Sequence, residues 1–150
     1  MVSVPRRHLS ASDRTNGNGV RLYLDTSALV KLVVAEAESA ALSDYLQGFA
    51  EDALFTAALA RTELVRAVAD GGQPAITEAR ILLDSIDTVA LSRALLDDAG
   101  TLPPAPLRTL DAIHLAAAHR AGRALRAVIT YDNRMTDAAA VLGLPTVGPA

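Results

Sequence analysis

Residues 21–30, Arg21-Leu22-Tyr23-Leu24-Asp25-Thr26-Ser27-Ala28-Leu29-Val30, decide the fold. Residues 21–24 form a short apolar run that reads as a buried strand, and the run from Thr26 reads as a helix start. Asp25 stands at the junction between them. An acid there lies at the carboxyl edge of a sheet, where open α/β folds place their ligand crevice.

Working outward, the same alternation repeats. Helical segments are expected at about 27–34 and 37–47, a second strand at 53–56, and helices at 58–70 and 75–84 separated by Gly71-Gly72-Gln73-Pro74. A third strand is expected at 86–91, a short helix at 92–98 and a proline-rich loop at 101–106. The clearest helix spans 109–121, with Thr109 as its cap and Gly122 as its exit. Residues 127–130 read as a fourth strand, 133–142 as a helix, and Thr146-Val147 as an edge strand. Strands alternating with helices predict a mostly parallel, doubly wound α/β sheet.

Residues 1–19 have no apolar period and end in Asn16-Gly17-Asn18-Gly19, so a disordered tail is expected there, with the folded domain at 20–150. A misassigned start codon would explain the same residues, and an RNA- or partner-binding arm is the functional alternative. The first ten residues lack the apolar core of a secretory signal. No stretch reaches the ~18 apolar residues of a membrane span, although 51% of the chain is hydrophobic, much of it alanine. With no cysteine there is no thiolate site and no sign of an oxidising compartment, so a cytoplasmic protein is expected.

Four acids fall where such a sheet would gather them. Asp25 ends the first strand and Asp132, in Ile129-Thr130-Tyr131-Asp132, ends the fourth; parallel strands deliver both to one edge. Asp111 lies in the first turn of its helix, where exposed amides favour an anion. Glu63 sits in a mostly apolar helical stretch, a costly place for an acid without a specific role. Carboxylates crowded together repel one another unless a divalent cation keeps them ionised. Oxygen-only ligation favours Mg²⁺ or Mn²⁺, and the three histidines are too scattered for a zinc set. Such a metal can orient water for in-line attack on a phosphodiester.

The net charge of −3 argues only weakly against a nucleic-acid substrate. If metal neutralises the four acids, 14 basic groups face 17 less these four. Basicity is nearly all arginine, with Lys31 the one lysine, and arginine suits bidentate phosphate contacts.

Short motifs in order carry a resemblance. YLDTSALVKL at 23–32, RTELVRA at 61–67, LDAIHLAAA at 110–118 and TYDNRM at 130–135, closed by AAAVLGLPTV at 138–147, resemble the PIN-domain ribonucleases. More narrowly they resemble the VapC toxins of bacterial toxin–antitoxin pairs. The resemblance runs from about residue 21 to the end and implies a PIN-like three-layer α/β/α fold, with a mostly parallel central sheet and helices on both faces. It implies a Mg²⁺-dependent endoribonuclease that cleaves RNA, is inhibited by a cognate VapB antitoxin, and forms a homodimer; no DNA contact by this chain alone is expected. By the same match, Asp25, Glu63, Asp111 and Asp132 are the metal-ligating catalytic acids, and Ser27 and Thr130 are supporting polar residues beside them.

Other candidates have plainer readings. His114, three residues after Asp111, is conceivable as a base or ligand, but a histidine in an apolar helix is more often a hydrogen-bonded packing residue. Arg61, Arg66, Arg120, Arg123, Arg126 and Arg134 could line a phosphate track or simply face solvent. Asp97-Asp98 and Glu51-Asp52 read as turn or surface acids, and Asp137 as a surface residue near its helix start.

Rival classes fail on particular residues. Ser27 stands where a haloacid-dehalogenase-like phosphatase needs a second Asp, and no late lysine supports a phospho-accepting receiver. Neither G-x-G-x-x-G nor G-x-S-x-G occurs. A catalytically silent PIN-like module that binds RNA or protein remains the alternative from another class, and the presence of all four acids argues against it.

Overall fold

A computed structural model describes residues 18–150. The expected strand at 21–24 forms as β1 (Arg21–Leu24), followed by α1 (Thr26–Val33), α2 (Ser39–Gly48), β2 (Ala53–Ala57) and α3 (Ala60–Val68). A 3-10 turn, Ala69–Gly71, leads into α4 (Gly72–Asp84), then β3 (Asp87–Val89), α5 (Arg93–Gly100) and α6 (Thr109–His119). A second 3-10 turn, Gly122–Ala124, precedes β4 (Leu125–Ile129), α7 (Asn133–Val141) and β5 (Thr146–Val147).

The five strands form one parallel sheet in the order β3-β2-β1-β4-β5. The chain steps outward from β1 to β3, then crosses back to β4 on the other side of β1. The order therefore reverses between β1 and β4, which makes that junction the topological switch point.

Alternation along the strands builds the two sides of the sheet. Leu22 and Leu24 of β1, with Ala127 and Ile129 of β4, join Leu29, Leu42, Leu64 and Leu83 from α1 to α4 in one core. Tyr23, Phe55 and Val128 point the other way, toward Leu95 of α5 and the alanines of α6. α7 packs on α6 through Met135, Ala138, Ala139 and Leu115. The result is the three-layer α/β/α arrangement expected from the sequence. Each fully buried leucine contributes roughly 1.5–3 kcal/mol. The alanine content has a use here: seven consecutive residues of α6, Ala112 to Ala118, are buried, and small side chains let this helix lie close against sheet and neighbours.

Several sequence expectations shift. Thr109 does not cap α6: Arg108 holds the cap position without a side-chain bond, and Thr109 is the first helical residue. Asp132 does not end β4, which stops at Ile129; it is the N-cap of α7, accepting the Arg134 amide at 2.9 Å. The helix expected at 75–84 starts earlier, at Gly72, with Pro74 in its first turn, where a missing N–H costs nothing. Gly72 turns the chain there with φ +71°, a conformation that favours glycine. The third strand is shorter than the 86–91 expected.

Asp52 is a correction of substance. It is not a surface acid: it is only 3% exposed, beneath Arg126, which hydrogen-bonds it through Nε and Nη2. Arg126 lies on β4 over the Phe49 ring, 4.2 Å from its centroid, so it belongs to this structural pair and not to a phosphate track. Most of the expected tail lies outside the described residues. Asn18, near its end, donates to Asp52 Oδ1 at 2.8 Å and accepts from the Val20 amide at 2.9 Å.

Candidate functional site

Asp25 is the most confined of the four acids. It follows β1 directly and caps α1, its Oδ1 accepting the Ala28 amide at 3.0 Å and the Ser27 hydroxyl at 2.6 Å. Oδ2 accepts the Thr130 hydroxyl at 2.5 Å, so the first residue past β4 is tied to the first residue past β1. Ser27 Oγ also receives the Tyr131 amide at 2.9 Å, and Thr130 Oγ1 receives the Asp132 amide at 3.1 Å. Ser27 and Thr130 thus lock the switch point and aim the Asp25 carboxylate in one direction.

Glu63 reaches the same place from the first turn of α3. Its Oε1 accepts the Thr26 hydroxyl at 2.8 Å and lies 2.5 Å from His114 Nε2 on α6. His114 is 3% exposed, and its Nδ1 lies 2.5 Å from the Tyr23 hydroxyl.

Asp111 and Asp132 complete the ring. α6 precedes β4, so its C-terminus lies toward the strands' amino edge and its N-terminus, with Asp111, stands at the carboxyl edge. Arg108 bridges the two acids: Nε donates to Asp111 Oδ2 at 3.0 Å, and Nη2 lies 3.5 Å from Asp132 Oδ2. All four acids, with Thr26, Ser27, Arg108 and His114, line one cleft of about 440 Å³. Thr130 stands behind it, buried against Asp25.

The surroundings push the two inner acids in opposite directions. Burial raises the Asp25 carboxyl above its ordinary range, only partly offset by the hydroxyls of Ser27 and Thr130 and the Ala28 amide. Burial also acts on Glu63, but the His114 ring and the Thr26 hydroxyl outweigh it and hold its carboxyl below the usual value.

Four carboxylates and no thiolate make a hard, oxygen-only donor set that suits Mg²⁺ or Mn²⁺. Among the described residues no three His, Asp or Glu side chains are already gathered as a cage. Instead the Arg108 guanidinium rests against Asp111 and Asp132, so a positive group already occupies the point where carboxylate charge accumulates. The donor chemistry and charge fit a divalent cation.

Three participants escaped the sequence reading. Arg108 is not among the arginines expected to line a phosphate track, although its i,i+3 spacing to Asp111 is a local signal. Thr26 lay within the first motif, but its bond to Glu63 spans 37 residues. Tyr23 read only as strand core, and nothing local announces its contact with His114. Of the other candidates, Arg61 pairs with Asp84 and Arg120 with Asp98 on the surface. Asp137 is exposed and does not line the cleft.

Comparison with known proteins follows the same lines. The family model for the PIN domain matches residues 22–141. Ribonuclease VapC46 of Mycobacterium tuberculosis (strain ATCC 25618 / H37Rv) is 46% identical over 129 residues, covering 86% of this chain and 98% of that protein. Ribonuclease VapC47 of M. tuberculosis (strain CDC 1551 / Oshkosh) is 46% identical over 132 residues, covering 85% and 96%. The crystal structure of M. tuberculosis VapC20, described as a sarcin–ricin loop cleaving toxin, superposes with a TM-score of 0.66 over 85% of this chain and 99% of that one. Its 18% identity speaks to the fold alone. By its matched motifs, its three-layer fold and its identity to these relatives, the chain belongs to the PIN-domain family, among the VapC ribonucleases.

Proposed function

We propose that the protein is a Mg²⁺-dependent endoribonuclease, the toxin of a type II toxin–antitoxin pair, in which Asp25, Glu63, Asp111 and Asp132 hold the metal. The observation that carries this reading is the convergence of all four acids, from four separate elements, on one cleft at the switch point of the sheet. The ribonuclease VapC names of its relatives support RNA as the substrate and a VapB-type antitoxin as the inhibitor; a cytoplasmic setting and a homodimer are part of the same proposal.

A divalent cation held by carboxylates supplies a nucleophilic water at neutral pH and offsets charge on the leaving oxygen. The chain's own residues prepare for it. Ser27 and Thr130 fix Asp25 so that its carboxylate needs no reorganisation. Asp111 and Asp132, less enclosed, stand beside Arg108, and Arg108 is the one guanidinium lining the cleft among the described residues. It therefore meets a phosphodiester entering there, where a planar fork can pair with two phosphate oxygens. No side chain need form a covalent intermediate.

The test is cleavage of a structured RNA by purified protein, with Mg²⁺ or Mn²⁺, against chelator and against Asp25→Asn. Cleavage should need the metal and fall to a per cent or less in Asp25→Asn, since a lost ligand removes several kcal/mol of transition-state stabilisation. Undiminished cleavage by the rigorously purified variant would sink the assignment. Sequencing RNA 5′ ends after induced expression, wild type against Asp25→Asn, identifies the target.

A further inference from the structure

We propose that His114 is a positioning residue for Glu63, and that Tyr23 sets which nitrogen of its ring carries the proton. The inference rests on the nuclease reading above, since it assigns Glu63 as a ligand. It goes beyond that reading by placing two buried residues of the core in the service of the site.

The three side chains form a continuous line from the sheet to the cleft. Tyr23, on β1, has no exposed surface and stands edge-on to Phe55, with ring centroids 5.0 Å apart. Its hydroxyl accepts the Ala57 amide at 3.2 Å and lies 2.5 Å from His114 Nδ1. At the far side of the ring, Nε2 lies 2.5 Å from Glu63 Oε1.

The contacts at the two ring nitrogens assign the protons along this line. An ionised carboxylate only accepts, so Nε2 bears the hydrogen and donates to Glu63. Nδ1 is then the acceptor. Burial holds the Tyr23 phenol above its ordinary pKa, so it keeps its proton, and with the Ala57 N–H on its oxygen it donates to Nδ1. The tyrosine contact thus sets the tautomer of the ring.

For Glu63 the effect is selective. Oε1 takes both donors, the His114 N–H and the Thr26 hydroxyl, while among the described residues Oε2 takes no hydrogen bond. The carboxylate plane is therefore fixed with one oxygen occupied by protein and the other left for the cation. Partners of this kind around ligands typically matter by 10–100-fold in metal affinity or activity.

The test measures Mn²⁺ affinity, by counting free Mn²⁺ with electron paramagnetic resonance, in wild type, His114→Ala, His114→Gln and Tyr23→Phe. Thermal melts of each metal-free variant monitor folding. His114→Ala should bind Mn²⁺ about tenfold or more weakly. His114→Gln, which keeps an amide donor at the reach of Nε2, should recover most of that loss, and Tyr23→Phe should fall between. In RNA cleavage the His114→Ala defect should shrink as Mn²⁺ is raised, with KM for RNA unchanged. A purely structural histidine would lower the melting temperature without moving metal affinity, and glutamine would not restore binding. Wild-type affinity in His114→Ala, or equal losses in His114→Ala and His114→Gln, overturns the proposal while leaving the nuclease reading in place. Absence of Mn²⁺ binding in wild type overturns both.

Discussion

The Nε of Arg108 lies 3.0 Å from Oδ2 of Asp111, one helical turn away, and the same guanidinium reaches on to Asp132. An arginine so placed competes with any cation for those two carboxylates. It also repels the cation by its charge. Removing it by Arg108→Gln should therefore tighten Mn²⁺ binding several-fold, as read by isothermal titration. The side chain is 58% exposed, and exposed pairs contribute little, so metal-free stability should change by less than about 1 kcal/mol. Weaker Mn²⁺ binding in the variant would show that Arg108 organises the acids and does not compete for them.

Asp25 predicts a pH dependence with a definite sign. Folding raises its pKa from 3.8, so the native state binds its proton more readily than the unfolded chain. Its contribution is then fully present below about pH 4 and is lost as pH rises through the native value. Metal-free wild type and Asp25→Asn should melt at similar temperatures near pH 4, with the variant becoming the more stable toward neutrality. Subtracting the two proteins cancels groups such as Glu63, whose lowered pKa acts in the opposite sense. A difference that stays constant from pH 4 to 8 contradicts the shift.

Mg²⁺ should raise the melting temperature of wild type, because a ligand bound only by the native state stabilises it by mass action. Chelator should reverse the rise. Asp25→Asn should show little or no response to the same Mg²⁺ titration. Identical responses in the two proteins would place the cation elsewhere.

Away from the cleft, Asp52 is expected to matter for stability alone. It is buried under Arg126 and linked to Asn18, and neither partner touches the site. Asp52→Ala should cost about 1–3 kcal/mol, the range for a buried partner lost from a charged hydrogen bond, while kcat for RNA is unchanged at a temperature where the variant is folded. Loss of activity in the folded variant would tie this pair to the cleft.

Local pattern carried most of the architecture. The run at residues 21–30 specified strand, acid and helix because apolar residues at strand spacing and a capping carboxylate leave short-range marks, and β1, Asp25 and α1 formed accordingly. Alternating strands and helices then implied a parallel sheet, since parallel neighbours need a crossover between them. Chain position likewise brought out all four acids, which line one cleft.

What stayed hidden was pairing between distant residues. Asp52 looked like a turn acid because its burial depends on Arg126, 74 residues away. Tyr23 and His114 each looked like core, and their line to Glu63 exists only because β1, α3 and α6 meet at one point. Hydrophobic periodicity tells which face of an element turns inward but not what it meets there. Which acids a sheet of this order can gather is written in the spacing of the chain; which neighbours orient those acids, and which arginine stands among them, depends on contacts that only the packed layers bring within hydrogen-bond distance.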